Sequence, residues 1–342
     1  MTTTAATRQI TYGEAEREAL REEMRRDPNV IIMGEDIAGA AGRQAQGFTD
    51  AWGGPFGSTK GLIQEFGAER VRDTPISEAG FIGAAVGAAA TGMRPVADLM
   101  FIDFMGCCLD QIMNNAAKMR YMFGGKSKMP LTIMTRIGAG VGSAAQHSET
   151  LYSMLTHLPG LKVVAPSDAY TAKGLLISAI RDDDPVIVCD HKRLLGRRGP
   201  VPEEPYTWPI GKARILKPGK DVTLVGISLM TTVCLDAAAA LAKDGVDAEV
   251  VDLLSLSPMD DEAVLTSVRK TQRLVVVDED TPRCSLATDI AALVADEAFD
   301  FLAAPVKRVN APHTPVPFSR ALEQAYMPTP QKVVDTVKGI MG

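Results

Sequence analysis

The sequence contains little cysteine and histidine, which limits the metal and redox chemistry that its side chains could support. Five cysteines and four histidines occur among 342 residues, and no two cysteines form a C-x-x-C pair. An odd number of cysteines without such spacing argues against a disulfide scaffold and against a zinc site. We therefore expect a reducing, cytosolic setting.

An excess of positive charge and a long apolar run are also missing. The formal net charge is −6, so no basic surface favours nucleic acid or an anionic membrane. The longest stretch with few charges, residues 79–93, is too short to span a bilayer and is rich in glycine and alanine. The first residues lack the basic-then-apolar profile of a secretory signal.

The composition that remains, 46% hydrophobic and 23% charged, is typical of a globular protein with room for two domains. Short β-branched runs alternate with amphipathic stretches, which predicts a mostly parallel sheet covered by helices. Strands are predicted at 30–33, 96–101, 131–135, 162–165 and 186–189, and helices at 12–26, 77–92, 106–122 and 169–181.

A break in this pattern divides the chain. Residues 196–209 contain four prolines and no apolar period, which indicates a linker. The alternation then restarts, with strands predicted at 222–226, 248–252, 274–278 and 306–310 and helices at 231–243, 260–270 and 286–296. We predict an α/β protein with one domain at 1–195 and a second, smaller one at 210–342.

Two glycine-rich stretches are candidates for anion binding. "GGKS" at 124–127 lacks the earlier glycine of a phosphate loop, since Arg120 occupies that position, and a turn after a helix is favoured. "IGAGVGSAAQHSE" at 137–149 has Ser143 where a dinucleotide fingerprint needs its third glycine. Its glycines still indicate close backbone approach, and His147 is as well explained by a functional as by a structural role.

Acidic residues follow two predicted elements. "GED" at 34–36 comes after a strand, and a charged turn is favoured over a functional site. "RDDDP" at 181–185 ends a helix, and it could be a solvated turn or a set of carbonyls that hold a cation. His157, His191 and His313 are weaker candidates than His147.

One carboxylate stands at the head of a run of small and apolar residues, "DTPISEAGFIGAAVG" at 73–87. Ser77 is a candidate helix cap, which would leave Glu78 in the first turn, where the helix dipole favours a negative charge. The small face at positions 80, 83, 84, 87 and 88 predicts that another backbone packs closely there, for example a partner helix.

These features together resemble the beta subunit of the thiamine-diphosphate-dependent first component of 2-oxo acid dehydrogenase complexes. The resemblance extends over nearly the whole chain and rests on matches in the same order: "GED", "RVRDTPISEAGFIGAAVGAA" (70–89), "GMRPVADLMFIDF" (92–104), "DQIMNNAAKMRYMFGG" (110–125), "AAQHSE" (144–149), "PGLKVVAPSDAYTAKGLL" (159–176) and "AIRDDDPVI" (179–187). It implies a pyrimidine-type thiamine-diphosphate-binding fold followed by a transketolase C-terminal-like domain.

The resemblance also implies roles for single residues. Glu78 matches the glutamate that hydrogen-bonds N1′ of the cofactor's aminopyrimidine and promotes loss of the C2 proton. Phe104 matches the aromatic residue that stacks on the aminopyrimidine, and Ile76 and Glu35 match cofactor-contacting positions. His147 matches the histidine that assists proton transfer and transfer to the lipoyl arm.

The G-D-G motif, which binds the diphosphate and Mg²⁺ in this family, does not occur in the sequence. In two-chain members it belongs to the alpha subunit, so the resemblance implies half a site in an α2β2 heterotetramer that works with a lipoyl-bearing acyltransferase. It also places a potassium ion on main-chain carbonyls of Leu131, Ala179, Ile180, Asp182 and Asp184.

A long insert at 37–58 and "RYMFGG" resemble the acetoin dehydrogenase branch, in which acetoin is cleaved to acetaldehyde and a two-carbon unit that is oxidised and passed to lipoamide or another acceptor. Pyruvate and branched-chain members usually have a shorter segment here, although "GRQAQGFTD" and "TRIGAGVGS" depart from the acetoin pattern. Oxidative decarboxylation of pyruvate or a branched-chain 2-oxo acid remains the alternative. A nicotinamide-dependent dehydrogenase and a non-catalytic assembly subunit are weaker ones.

Overall fold

The computed structural model describes residues 8–39 and 53–341. Most of the insert at 37–58 lies outside these residues. The chain forms two compact units. The first runs to Arg136 and includes Leu155–Asp190 and Leu194–Ile210, and the second comprises Ile137–Met154, His191–Arg193 and the chain from Gly211 onwards.

Strands and helices alternate through both units. The strands are β1 (Gln9–Thr11), β2 (Val30–Glu35), β3 (Val71–Thr74), β4 (Arg94–Phe101), β5 (Thr132–Ile137), β6 (Lys162–Val164), β7 (Val186–His191), β8 (Arg198–Pro200), β9 (Arg214–Lys217), β10 (Val222–Gly226), β11 (Ala248–Asp252), β12 (Ser255–Ser257), β13 (Leu274–Asp278) and β14 (Lys307–Asn310). The helices are α1 (Tyr12–Arg26), α2 (Leu62–Phe66), α3 (Glu78–Ala90), α4 (Met105–Asp110), α5 (Ala117–Met122), α6 (Tyr152–Thr156), α7 (Ala169–Arg181), α8 (Leu229–Lys243), α9 (Asp261–Thr271), α10 (Leu286–Glu297), α11 (Arg320–Tyr326) and α12 (Pro330–Lys338).

The first unit is built on strands in the order β6-β7-β5-β4-β2-β3. The pairs β3–β2, β2–β4, β4–β5 and β6–β7 are parallel. β5 and β7 are buried along their whole length, as expected for strands that helices cover on both faces. The predicted α/β architecture is confirmed for this unit.

The second unit has a five-stranded sheet in the order β14-β13-β10-β11-β9. The first four strands are parallel, and only the edge strand β9 is antiparallel to its neighbour. Helices α8, α9, α10 and α12 pack against this sheet. The predicted second α/β unit is therefore confirmed.

Helix starts follow local capping chemistry where the sequence offers it. Thr11 and Glu14 form a reciprocal capping box that starts α1, and Asp168 and Thr171 do the same for α7. Each pair satisfies amide groups that a helix start would otherwise leave unbonded. Both helices have the predicted bounds.

The prediction of one continuous helix at 106–122 is wrong. Cys108 departs from helical backbone angles within α4, and a π-helical turn, Gln111–Ala116, separates α4 from α5. The wider turn shifts the faces that the two flanking helices present. Gly124 and Gly125 then close α5 with bonds from their N–H groups to the carbonyls of Tyr121 and Arg120, which confirms the turn interpretation of "GGKS".

The predicted linker is more ordered than its composition suggested. Its residues 198–200 form β8, which pairs antiparallel with β1. The buried ammonium of Lys173 donates to the carbonyls of Pro202, Glu203 and Glu204, each at 3.2 Å, and also to the carboxylates of Glu18 and Glu22. The segment is thus fastened to α1 and α7.

A search of the described residues finds no helix with the length and apolar character needed to cross a membrane.

Candidate active site

Three neighbouring parallel strands end at one edge of the first unit's sheet, and each leads to a predicted site residue. β2 ends at Glu35, whose register partner on β3 is Thr74. β3 leads through Ile76 to Glu78, and β4 leads through a short helical turn to Phe104. Carboxyl ends of parallel strands are where α/β sheets bind ligands, so the topology places all these residues at one edge.

Glu78 is the first residue of α3, where the amide dipole favours its negative charge. Ser77 precedes it at the cap position, but its hydroxyl makes no capping bond and donates instead to the carbonyl of Pro75 at 3.3 Å. The predicted side-chain cap is therefore wrong. The helix start leaves N–H groups that its own side chains do not satisfy.

Glu35 and Glu78 lie close enough for their charges to interact. Burial, the adjacent charge of Asp36 and the charge of Glu78 raise the pKa of Glu35 above its ordinary value. Among the described residues, neither carboxylate makes a hydrogen bond or an ion pair. Two half-buried carboxylates without a cation between them are costly in a folded protein. They are suited to binding a donor from outside the unit.

Cys108 lies beneath this edge. Burial, together with the charges of Glu78 and Cys107, raises the pKa of the Cys108 thiol to about 12. The thiol is therefore protonated at neutral pH and is a poor nucleophile. We assign it to packing between α3 and α4.

Phe104 is held by a series of ring contacts. The buried guanidinium of Arg136 lies 5.1 Å from the ring centre of Phe56. The ring of Phe56 packs edge-on against that of Phe101, with 5.4 Å between the ring centres. Phe101 in turn contacts Phe104 edge-on at 5.5 Å. Arg136 itself is fixed by ion pairs to Glu16 at 2.5 Å and to Asp190 at 3.0 Å. All three side chains are buried. The half-exposed Phe104 ring is thus oriented from the core.

The same edge has two further features that a ligand would satisfy. Ile76 is 75% exposed, which is a large apolar surface for a residue beside a carboxylate. Thr74 Oγ1 is buried and has no hydrogen-bond partner among the described residues. An apolar contact and an unsatisfied hydroxyl beside Glu35 and Glu78 fit a heteroaromatic group with ring nitrogens and an amine.

The small face of α3 is largely open to solvent. Gly80, Ala84 and Gly87 are exposed, and a Cβ at Gly87 would meet no atom within 4 Å. Gly83 lies near Gln111, whose Cγ would be 3.3 Å from an added Cβ. The close approach of a further chain to this face remains a prediction.

The glycine-rich loop after β5 belongs to the second unit, and its amide groups are already occupied. Ala139 N donates to Glu279 Oε1 at 2.6 Å. Gly140 N and Gly142 N donate to Glu323 Oε1 at 2.6 and 3.1 Å, respectively. Since carboxylates take the N–H groups that would bind a phosphate, the geometry disfavours the dinucleotide interpretation.

His147 lies on this same loop and is half-buried. Its carbonyl accepts a hydrogen bond from the ammonium of Lys192, which also reaches Ser148 Oγ at 3.3 Å. The main chain of the loop is therefore fixed directly beside the imidazole.

The sequence did not single out Glu279, Glu323 or His191 as loop contacts. His191 is buried, and its Nε2 lies 2.8 Å from Glu279 Oε2 while its Nδ1 accepts from Arg193 N. Glu279 follows a predicted strand in "VVVDED", a weak signal, whereas Glu323 lies on α11, a helix that was not predicted.

Four of the five carbonyls proposed for a cation already accept hydrogen bonds. Arg94 NH1 donates to Ile180 O at 3.1 Å and to Asp182 O at 2.8 Å. Leu131 O accepts from Val186 N at 2.9 Å. Among the described residues no cluster of three or more histidine, cysteine or acidic side chains has metal-binding geometry.

Comparison with known families gives two matches. The transketolase pyrimidine-binding domain matches residues 8–198, and the transketolase C-terminal domain matches residues 211–333. A solved structure, described as a split-gene transketolase in an inactive beta4 tetramer, is similar with a TM-score of 0.77 and 25% identity, over 97% of this chain and 98% of that one.

Several named relatives match over nearly the whole chain. The beta subunits of acetoin:2,6-dichlorophenolindophenol oxidoreductase from Bacillus subtilis and Cupriavidus necator are 54% and 55% identical, each over 98% of both chains. The beta subunit of the pyruvate dehydrogenase E1 component from Rhizobium meliloti is 44% identical over 97% of this chain and 70% of that protein.

Proposed function

The chain belongs to the family of transketolase-like beta subunits that includes those of acetoin oxidoreductases and of pyruvate dehydrogenase E1, and from this premise we propose that it is the beta subunit of a thiamine-diphosphate-dependent acetoin dehydrogenase. The observation that carries the proposal is identity of 54–55% over 98% of the chain with two acetoin-oxidising relatives, against 44% with a pyruvate-oxidising one. Pyruvate oxidation is the second candidate.

The residues at the sheet edge of the first unit fit the cofactor. When bound, thiamine diphosphate supplies the nucleophilic carbon and stabilises the carbanion that C–C cleavage requires. Glu78 would hold a proton at N1′ of the aminopyrimidine, and Phe104 would stack on that ring. Burial and the charges of Asp36 and Glu78 raise the pKa of Glu35, so this carboxyl holds a proton more readily than an ordinary one. Ile76 would exclude water.

His147 is proposed to move a proton at the reacting oxygen of the substrate. Histidine is suited to this role because its ordinary pKa lies near neutrality. The tie between Lys192 and the His147 carbonyl supports the proposal, since a general acid or base must be held within hydrogen-bond reach of its proton.

We further propose an α2β2 heterotetramer in which the alpha subunit binds the diphosphate and Mg²⁺. The sequence contains no G-D-G motif, and the exposed small face of α3 offers a surface on which another chain can pack closely. A lipoyl-bearing acyltransferase would accept the oxidised two-carbon unit. The five free cysteines are consistent with a cytosolic setting.

A potassium ion on the carbonyls of Leu131, Ala179, Ile180, Asp182 and Asp184 is part of the proposal. A carbonyl oxygen has two lone pairs, so a carbonyl that accepts one hydrogen bond still has room for a cation. Arg94 already brings a positive charge to two of these carbonyls, so we expect weak binding. A melting temperature of the complex that is the same in potassium and tetramethylammonium chloride would argue against the ion.

The substrate is tested by co-expressing the chain with the alpha subunit from the neighbouring gene. Dichlorophenolindophenol reduction is then measured with acetoin, pyruvate and branched-chain 2-oxo acids. We expect kcat/KM for acetoin to exceed the others by at least about tenfold. Equal or higher values for pyruvate would replace the acetoin assignment by the second candidate.

A further inference from the structure

The loop at 138–149 is fastened by two carboxylates that the proposed chemistry does not use. Glu323 Oε1 accepts from Gly140 N at 2.6 Å and from Gly142 N at 3.1 Å, and Oε2 accepts from Gly142 N at 3.0 Å. Glu279 Oε1 takes the neighbouring amide, Ala139 N, at 2.6 Å. Both glutamates are 3% exposed. Hydrogen bonds to buried charged groups are among the stronger ones in proteins.

The backbone of the loop is shaped for this arrangement. Gly138, Gly140 and Gly142 have φ values of +90°, +98° and +73°, a region that side chains rarely allow. A Cβ at Gly138 would lie 1.9 Å from His191 Nε2, and one at Gly140 would lie 2.4 Å from Arg193 Cδ. The amides therefore converge on the carboxylates because glycine permits both the turn and the close packing.

The other end of the loop is fixed as well. Gly138 N donates to Glu149 O at 3.1 Å, which closes the base of the loop. The ammonium of Lys192, which is positively charged, donates to the carbonyl of His147. The loop is thus held by carboxylates at its amides and by an ammonium at a carbonyl, and that carbonyl belongs to His147 itself.

We propose that Glu323 is a positioning residue for His147: by binding the amides of Gly140 and Gly142, its carboxylate fixes the loop that presents the imidazole. The inference rests on the proposed function of His147. It assigns a role in the reaction to α11, a helix more than 170 residues away from His147 in the chain. Glu279 contributes at the adjacent amide, and His191 orients it.

The test uses the complex with the alpha subunit and the variants Glu323→Gln and Glu323→Ala, with Gln324→Ala as the control. Gln324 is the next residue on α11 and is exposed. We expect kcat for acetoin to fall about tenfold in Glu323→Gln and about a hundredfold in Glu323→Ala, because small misplacements of a reacting group are costly. KM should change little, and the control should match the wild type.

Two further readouts separate positioning from general stability. In Glu323→Ala, hydrogen exchange at the amides of residues 139–142 should be faster, with exchange in the β10–β13 sheet unchanged. In a His147→Ala background, the Glu323→Ala loss should shrink to under about twofold, because coupled residues are not additive. If Glu323→Ala does not fold, Glu323→Gln keeps one acceptor oxygen and carries the same measurements.

Additive losses in the double variant, or an unchanged kcat with faster loop exchange, would overturn the inference. A wild-type complex that does not oxidise acetoin would instead overturn the proposed function. In that case the exchange measurement still decides whether Glu323 fixes the loop.

Discussion

Glu78 and Glu35 are neighbouring carboxylates that a ligand with hydrogen-bond donors would stabilise. Both are half-buried and close to each other, and neither has a hydrogen bond or ion pair among the described residues. The two like charges repel each other, which destabilises the folded chain, and the dipole of α3 offsets only part of this at Glu78. Stability is therefore expected to rise, and activity to fall, when the charge of Glu78 is removed.

Replacing Glu78 by Gln should lower acetoin-dependent dye reduction at least about a hundredfold, because Gln cannot accept or return a proton at N1′. The unliganded chain should be as stable as the wild type or more so. Glu297→Gln, an exposed change at the end of α10, is the matched control. Near-normal activity in Glu78→Gln would remove this residue from the mechanism and favour an assembly role.

Asp280 predicts a pH effect on stability. Burial, and next the charge of Asp278, raise its pKa to about 7, against about 4 in an unfolded chain. Between these pH values the native state holds a proton that the unfolded state releases. The free energy of unfolding therefore falls as pH rises through this range, by up to about 1.4 kcal/mol per pH unit.

Asp280→Asn cannot titrate, so its free energy of unfolding should decline less between pH 4.5 and 7. Urea unfolding at several pH values measures this slope. Asp236→Asn, which changes an exposed carboxyl on α8, should keep the wild-type slope. A slope for Asp280→Asn equal to that of the wild type would contradict the raised pKa of Asp280.

At the scale of single residues, local motifs were enough to name candidate site residues, whereas contacts that span the chain were not predicted. Glu78, Ile76 and Phe104 stand in continuous motifs next to strand ends. Glu279 and Glu323 lie 140 and 183 residues from the amides they bind. No local pattern records such a partner.

Among the elements, two helices were predicted to the residue, four others (α3, α8, α9 and α10) to within two residues at each end, and pieces such as β1, β8 and α12 were not predicted. α1 and α7 carry capping boxes at their starts and keep the predicted bounds. β1 and β8 have three residues each and exist because they pair with each other. The π-helical turn at Gln111–Ala116 packs against α3 and α4. The 3.6-residue hydrophobic period of a helix does not predict such packing.

Lys173 joins several elements, so its replacement is expected to lower the free energy of unfolding strongly. It is fully buried and joins α1, α7 and the segment after β8 through two carboxylates and three carbonyls. Lys173→Met would leave Glu18 and Glu22 without their shared cation. We expect a loss of about 3 kcal/mol in the free energy of unfolding.

Urea unfolding of the purified chain measures this loss, and Lys118→Met, at an exposed position on α5, is the control. A change below about 0.5 kcal/mol in Lys173→Met would mean that the linker is held by other contacts. The stacked pair Tyr170–Tyr206, with ring centres 4.5 Å apart, is the next candidate for that role.

For the whole molecule, the alternation of strands and helices was enough to predict two α/β units, and the parallel sheets confirm it. The contiguous boundaries at 195 and 210 stay a prediction. The segment Ile137–Met154, which contains the loop at 138–149, groups with the second unit although most of the strand before it belongs to the first. Glu279 and Glu323 hold it there, and these long-range contacts have no sequence signature.

We propose that this chain supplies Glu78 and His147 to an acetoin-cleaving enzyme that is completed by an alpha subunit. The most direct measurement is acetaldehyde released per dye molecule reduced, with acetoin as substrate and thiamine diphosphate and Mg²⁺ present. We expect one acetaldehyde per two-electron reduction with both subunits and none when either is omitted. Dye reduction without acetaldehyde, or full activity of the alpha subunit alone, would contradict it.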